Sequence, residues 1–160
     1  MKQKSDLKSS GEAEGLRPQD VALLRRSFEQ IRPQSDIAAL VFYRNLFTLA
    51  PALRPLFHTS IELQGRKLME SLSFTVASLE NPGELFPVLE SLGRRHVAYG
   101  AKAEHYPIVA EAIVQMLRET LGNAMTPETE SAWLKALGIV SEVMQRGARQ
   151  AEEFSEPCST

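Results

Sequence analysis

Apolar residues recur along the chain at helical spacing in six blocks. In the first, Val21, Leu24 and Phe28 share a face with Leu23 and Ile31 beside them; Pro18 sits near the first helical position and Pro33 ends the block. Ser35-Asp36 is expected to cap the second, which carries Ile37, Leu40, Val41, Phe42, Tyr43, Leu46 and Phe47 and stops before Pro51. Pro51 and Pro55 bracket a short turn with no room for a long regular element. From about Ile61 to Leu79 the row Gln64, Leu68, Leu72, Val76 steps by four along one side of a helix, and Asn81-Pro82-Gly83 reads as a stop. Leu85, Leu89, Leu92 and His96 then form a stripe that ends in a histidine, closed by Gly100. Ile108, Ala112 and Met116 mark the fifth block, ending at Leu121-Gly122-Asn123. Thr126 caps the sixth, with Pro127 first inside, Glu128 and Glu130 at the positive end of the helix dipole, and Trp133, Leu137, Val140 and Met144 on its buried face. No strictly alternating run and no Asn-Gly or Asp-Gly hairpin turn is present, so the expected class is all-α.

Composition narrows this without changing it. The 160 residues are 43% hydrophobic and 24% charged, enough for one well-filled core. Residues 1–15 are polar and read as a flexible arm, 16–150 as the folded domain and 151–160 as a polar tail. Lys+Arg of 18 against Asp+Glu of 20 gives a net charge of -2, with no pull toward nucleic acid or an anionic membrane. Cys158 is the single cysteine, which excludes an intrachain disulfide and any multi-cysteine metal or redox site. No run reaches the ~18 apolar residues of a membrane span, and the first fifteen residues lack the apolar centre of a secretion signal. The expected setting is the cytoplasm.

Nucleotide-binding, P-loop, zinc-protease, nucleophile-elbow and EF-hand motifs are all missing. Met69, Met116, Met125 and Met144 fall at helical spacing and are read as core filling. His96 is the informative residue. A histidine at the end of a leucine stripe points at the core, where on spacing alone it is more often a hydrogen-bonded core side chain than a ligand. A neutral imidazole facing an apolar cavity is also what a haem iron takes as its protein ligand, leaving the opposite face free for a diatomic gas. The helix of Gln64 and Leu68 would supply that face, with Gln64 as a hydrogen-bond donor, Leu68 as an apolar wall and the Tyr43 hydroxyl as a second donor. Each has an ordinary reading: Gln64 as a solvated helix residue, Tyr43 as a core tyrosine, Phe57 as plain core. Lys67 and Arg95 adjoin Gln64 and His96 and would pair haem propionates, or else are solvated surface charges.

Taken in order, several segments resemble the globin family, in particular bacterial single-domain globins and the globin domain of flavohaemoglobins. They are Phe42-Tyr43-Arg44-Asn45-Leu46-Phe47, Pro51 through Phe57, Gln64 to Leu68, Leu92-Gly93-Arg94-Arg95-His96, Tyr99-Gly100, His105 to Val109, and Trp133-Leu134-Lys135-Ala136. The resemblance runs over about residues 16–150, with 31 residues between Gln64 and His96, the family's distal-to-proximal separation. It implies a three-over-three helical sandwich around a b-type haem. His96 is then the proximal iron ligand, Gln64 the distal residue with Tyr43 as its partner, Phe57 the aromatic wedge on the haem, and Leu68 the distal wall. Tyr106 matches the family's proximal tyrosine, and Lys67, Leu92, Arg95 and Tyr99 complete the haem contacts. His58, beside Phe57, is the rival distal ligand.

Two departures bear on function. The flavohaemoglobin glutamate near the proximal histidine is matched by about Ala148, with Glu142 roughly two turns away, so strong oxygen-activating chemistry is not expected. The sequence ends at Thr160 with no flavin- or nicotinamide-binding segment, so turnover would need a separate reductase. The expectation is a haem protein, monomer or weak homodimer, that binds dioxygen, NO and CO reversibly. The alternatives are a nitric oxide dioxygenase served by an external reductase, and a gas-sensing or interaction module.

Overall fold

The computed structural model describes residues 15–155; nearly all of the N-terminal arm, and Cys158, lie outside the described residues. The six helices among them are α1 (Pro18–Ile31), α2 (Ser35–Leu49), α3 (Ile61–Ala77), α4 (Pro82–Ala98), α5 (His105–Leu121) and α6 (Pro127–Ser155). Short 3-10 turns at Arg32–Gln34, Pro51–Leu56 and Gly122–Ala124 join some of them, and no strand occurs among the described residues.

The helix ends follow local chemistry, with differences from the sequence reading. Thr126 caps α6 as expected: its Oγ1 accepts from Thr129 N–H at 3.1 Å. Ser35 does not cap α2 but lies inside it, because the preceding 3-10 turn runs straight on and Ser35 N–H donates to the Arg32 carbonyl. Helix α3 ends at Ala77, short of Leu79, where Ser78 N–H turns back to the Phe74 and Thr75 carbonyls. Pro82 follows this stop and also opens α4, as a proline at a first helical position does at little cost. Helix α6 continues a turn past the point where the composition turns polar, to Ser155.

Two layers result, α1, α3 and α4 over α2, α5 and α6. Helix α2 packs against α3 and α5; α6 packs against α4, α1 and α5. Leu24, Ile31, Leu46, Leu85, Met116, Leu117 and Trp133 are fully buried between the layers. Polar ties fix the outer helices. Trp133 Nε1–H donates to Ser27 Oγ at 2.8 Å, and the Ser27 hydroxyl donates to the Leu23 carbonyl at 2.7 Å, so no buried polar atom of the pair is orphaned. Asp20, only 1% exposed, accepts from the Arg17 guanidinium and backbone and faces Lys135 of α6 at 3.5 Å. The Arg17 hydrogen bond, above all, holds its carboxyl down at about 2.

Glycine sets the closest crossings. A Cβ at Gly93 of α4 would stand 1.9 Å from the Met144 carbonyl oxygen, and one at Gly147 of α6 would stand 2.1 Å from that of Glu90. The two backbones therefore touch at two points. At Gly65 of α3 a Cβ would lie 2.7 Å from the Ala39 Cβ, which seats α3 directly on α2. By contrast α3 and α4, consecutive in the chain, form no packed pair with each other. Each leans on a different partner, and a cleft opens between them.

Candidate functional site

The cleft is bounded by α3 on one side and α4 on the other. Its apolar side chains are incompletely covered: Phe57, Ile61, Leu68, Leu92, Tyr106 and Ile108 are half-buried, packed on the core with one side left open. At one end the walls meet. Gly100, at φ +96°, takes a conformation open to glycine, and a Cβ there would lie 3.2 Å from Leu56 Cδ2, so the loop after α4 closes onto the proline-flanked turn that carries Phe57.

His96 lies in the last turn of α4, one turn beyond the Gly93 crossing. Its Nδ1 is 2.8 Å from the Leu92 carbonyl oxygen. A carbonyl only accepts, so Nδ1 carries the proton and Nε2 keeps its lone pair. Burial pushes the imidazole pKa down, the Leu92 bond opposes this, and the neighbouring Arg95 charge adds to the lowering. The ring is therefore neutral at pH 7 and oriented, the state in which imidazole binds a metal. Tyr99, exposed, has its ring 6.0 Å from that of His96. The other two histidines differ. His105 uses Nδ1 to accept Lys102 N–H at 3.0 Å, and His58 is exposed.

Tyr43 occupies the opposite wall, on α2 beneath α3. It is buried among aromatic rings, edge-on to Phe42 at 4.8 Å and to Phe57 at 5.5 Å, with Phe47 at 5.9 Å. Phe47 also meets Phe57 edge-on at 5.3 Å and carries the Arg54 guanidinium over its outer face at 5.1 Å. Burial pushes the Tyr43 phenol up to about 12, so it is a neutral O–H donor. That hydroxyl makes no hydrogen bond to another described residue. Tyr106 of α5 is more extreme: its hydroxyl is fully buried without a partner among the described residues, and burial raises its pKa. A buried polar atom without a partner costs ~1–3 kcal/mol, so such atoms concentrate where something else is to be met.

Gln64 is half-buried in the first turns of α3, on the same side as Leu68. Its carboxamide does not reach Tyr43; Nε2 donates to the Thr59 hydroxyl just outside the helix. Lys67 and Arg95 are exposed and pair with no carboxylate among the described residues. Ala148 is half-buried beside Gly147. Thr59 was absent from the sequence reading; a threonine directly before a Ser-capped helix is the signal that could have found it. A surface groove of about 530 Å³ lies between the α1–α2 corner and α3; Ile61 and Gly65 line it, but His96, Tyr43 and Gln64 do not.

A neutral imidazole with a free Nε2, two phenol hydroxyls without partners among the described residues, an aromatic cluster and two walls that do not pack on each other fit a flat apolar group with a metal at its centre. Comparison with known proteins defines the class. The globin family model matches residues 40–144, and the chain belongs to the globin family. Family membership implies haem binding.

Among curated relatives, the flavohemoprotein of Rhizobium meliloti is 31% identical over 118 residues, 72% of this chain and 29% of that protein. The flavohemoprotein of Bordetella parapertussis is 30% identical over 133 residues, 81% of this chain and 33% of that one. The chain thus spans about a third of the length of these relatives. Among solved structures, an engineered carbene transferase from Rhodothermus marinus, described as a variant of a proposed nitric oxide dioxygenase, superposes with a TM-score of 0.79 at 27% identity, over 87% of this chain and 97% of that one. A bacterial globin from Campylobacter jejuni shares the fold, with a TM-score of 0.76 at 18% identity, over 86% of this chain and 99% of that one. No helix among the described residues is long and apolar enough to cross a membrane.

Proposed function

We propose that this globin binds dioxygen reversibly, together with NO and CO, at a b-type haem held in the cleft between α3 and α4. The observation that carries the reading is the His96–Leu92 hydrogen bond, which fixes the tautomer and presents Nε2 unprotonated. When bound, the haem supplies an iron with one open face for a diatomic gas. The chain does the rest. His96 holds the iron. Tyr43, neutral and without a protein partner, donates its O–H to a gas carrying partial negative charge. Gln64 is a second donor, and Leu68 keeps that side dry. Phe57, steadied edge-on by Phe47 and Tyr43, packs on the macrocycle with Leu92 and Tyr99. Lys67 and Arg95, exposed and unpaired, are free to meet propionates at the rim.

Hemin added to the purified chain tests this. A Soret band that forms stoichiometrically in the wild type and is lost in His96→Ala supports the assignment; equal, firm uptake by both refutes it.

A second reading is nitric oxide dioxygenation with electrons from a separate reductase in the cytoplasm. It is favoured by the flavohemoprotein relatives and by the description of the Rhodothermus marinus protein. Ala148, in place of an acid beside the proximal side, weighs against rapid turnover. Sustained NO consumption with a supplied reductant separates the two, since a binding protein stops after one equivalent.

A further inference from the structure

The start of α3 holds a contact that neither the fold nor the haem reading requires. Ser60 caps the helix, its Oγ accepting from Leu63 N–H at 3.1 Å. This makes Thr59 the residue before the cap and Gln64 the fourth inside the helix, the two positions that a capped N-terminus brings face to face. In most helices that pair is apolar. Here it is a hydroxyl and a carboxamide, and Gln64 Nε2 donates to Thr59 Oγ1.

The surroundings restrict what can move. Gly65, next to Gln64, is pressed onto Ala39, and a Cβ there would stand 3.9 Å from Tyr43 Cε2. The backbone at 64–65 is thus fixed over the Tyr43 ring, and only the Gln64 side-chain torsions are free. Ile61 and Leu68, one turn to either side on the same face, are half-buried and packed on the core. The carboxamide is the one polar head in that stripe, with Thr59 as its outward partner. The Tyr43 hydroxyl, which makes no hydrogen bond to another described residue, and a ligand in the cleft would be its inward ones. Exchanging one neutral hydrogen bond for another of similar strength leaves the two positions nearly balanced, so a single hydroxyl decides between them.

Building on the haem reading above, we propose that Thr59 is a positioning residue that holds the Gln64 carboxamide outward, so that Tyr43 alone meets an arriving gas and Gln64 adds its N–H only on leaving Thr59. The distal donor set is then adjustable from outside the cleft.

The test uses the full chain loaded with haem, as wild type, Thr59→Val, Gln64→Leu and the double variant. The readouts are the C–O stretching frequency of the carbon monoxide complex, which falls when a donor approaches the oxygen, and the dioxygen dissociation rate. Valine keeps the shape of threonine and removes the acceptor. Thr59→Val is expected to lower the frequency and slow dissociation about two- to tenfold, the worth of one neutral hydrogen bond. Gln64→Leu alone should change dissociation by less than about twofold, and the double variant should match Gln64→Leu. A silent Thr59→Val beside a Gln64→Leu that releases dioxygen quickly would show Gln64 already inward, overturning the proposal and leaving the haem reading intact. Equal effects of Thr59→Val in both backgrounds would show action through the fold and also overturn it. If all four behave alike, Gln64 contributes nothing and the proposal fails, while Tyr43→Phe in the same assay reports whether the haem reading survives. A wild type that takes up no hemin removes both.

Discussion

His96 Nδ1 donates to the carbonyl oxygen of Leu92, one turn earlier in α4, at 2.8 Å. Leu92 is thus both a wall of the cleft and the group that orients the imidazole, and through the backbone bond any residue at position 92 serves the second purpose.

The buried imidazole makes stability depend on pH. Its folded pKa lies below the ordinary 6.5 because burial disfavours the charged form. Between 6.5 and the lowered value the unfolded chain binds a proton that the folded chain does not, so the cofactor-free protein loses stability as pH falls below about 6.5. Melts of wild type and His96→Gln across this range should diverge, with the variant losing less; parallel curves would mean that His96 is not the group responsible.

Tyr43→Phe should separate fold from function. The hydroxyl has no partner to lose, so the melting temperature of the cofactor-free chain should hold or rise slightly. Dioxygen release from the haem-loaded variant should quicken about five- to thirtyfold, the equivalent of ~1–2 kcal/mol of hydrogen bonding to a partly charged ligand. Stopped-flow dissociation and a thermal melt on the same preparations check both halves.

Tyr106→Phe is expected to stabilise the chain whether or not it is loaded. In the empty chain, deleting a fully buried, unpartnered hydroxyl should stabilise by up to ~1–2 kcal/mol. With haem bound the gain should be retained, because the ring nitrogens of a haem are committed to the iron and offer the phenol no acceptor. Chemical denaturation of both forms gives the comparison.

Gly93→Ala and Gly147→Ala should each cost ~2–4 kcal/mol, since either methyl group would collide with a backbone carbonyl that cannot swing aside. The double variant should cost less than the sum, because the first methyl already separates the helices for the second. Additive losses in denaturant titrations would show that the two contacts are independent.

Much of this architecture was legible in the sequence because it rests on periodicity. The six apolar stripes locate the helices, and the Leu85, Leu89, Leu92, His96 row puts the imidazole on an inward face. Ends were harder to read. Ser35 has the right chemistry for a cap, yet the preceding 3-10 turn already satisfies its N–H. The close approach of α4 to α6 could not be read, since Gly93 and Gly147 lie 54 positions apart and only tertiary packing pairs them. Gln64 was legible as a residue but not as a conformer. Its partner Thr59 is a property of the helix start, and the expected link to Tyr43 competes with a local bond of similar worth.

The double glycine crossing makes the two sides of the cleft unequal. The helix bearing His96 is clamped backbone to backbone onto the longest helix, in contacts that need nothing in the cleft to sustain them. The helix bearing Gln64 is seated chiefly on α2 and has no neighbour across the gap. Before pigment arrives the molecule thus owns one jaw clamped at two backbone contacts and one seated at a single glycine. Amide exchange in the colourless protein should therefore begin along α3, with the histidine side protected throughout.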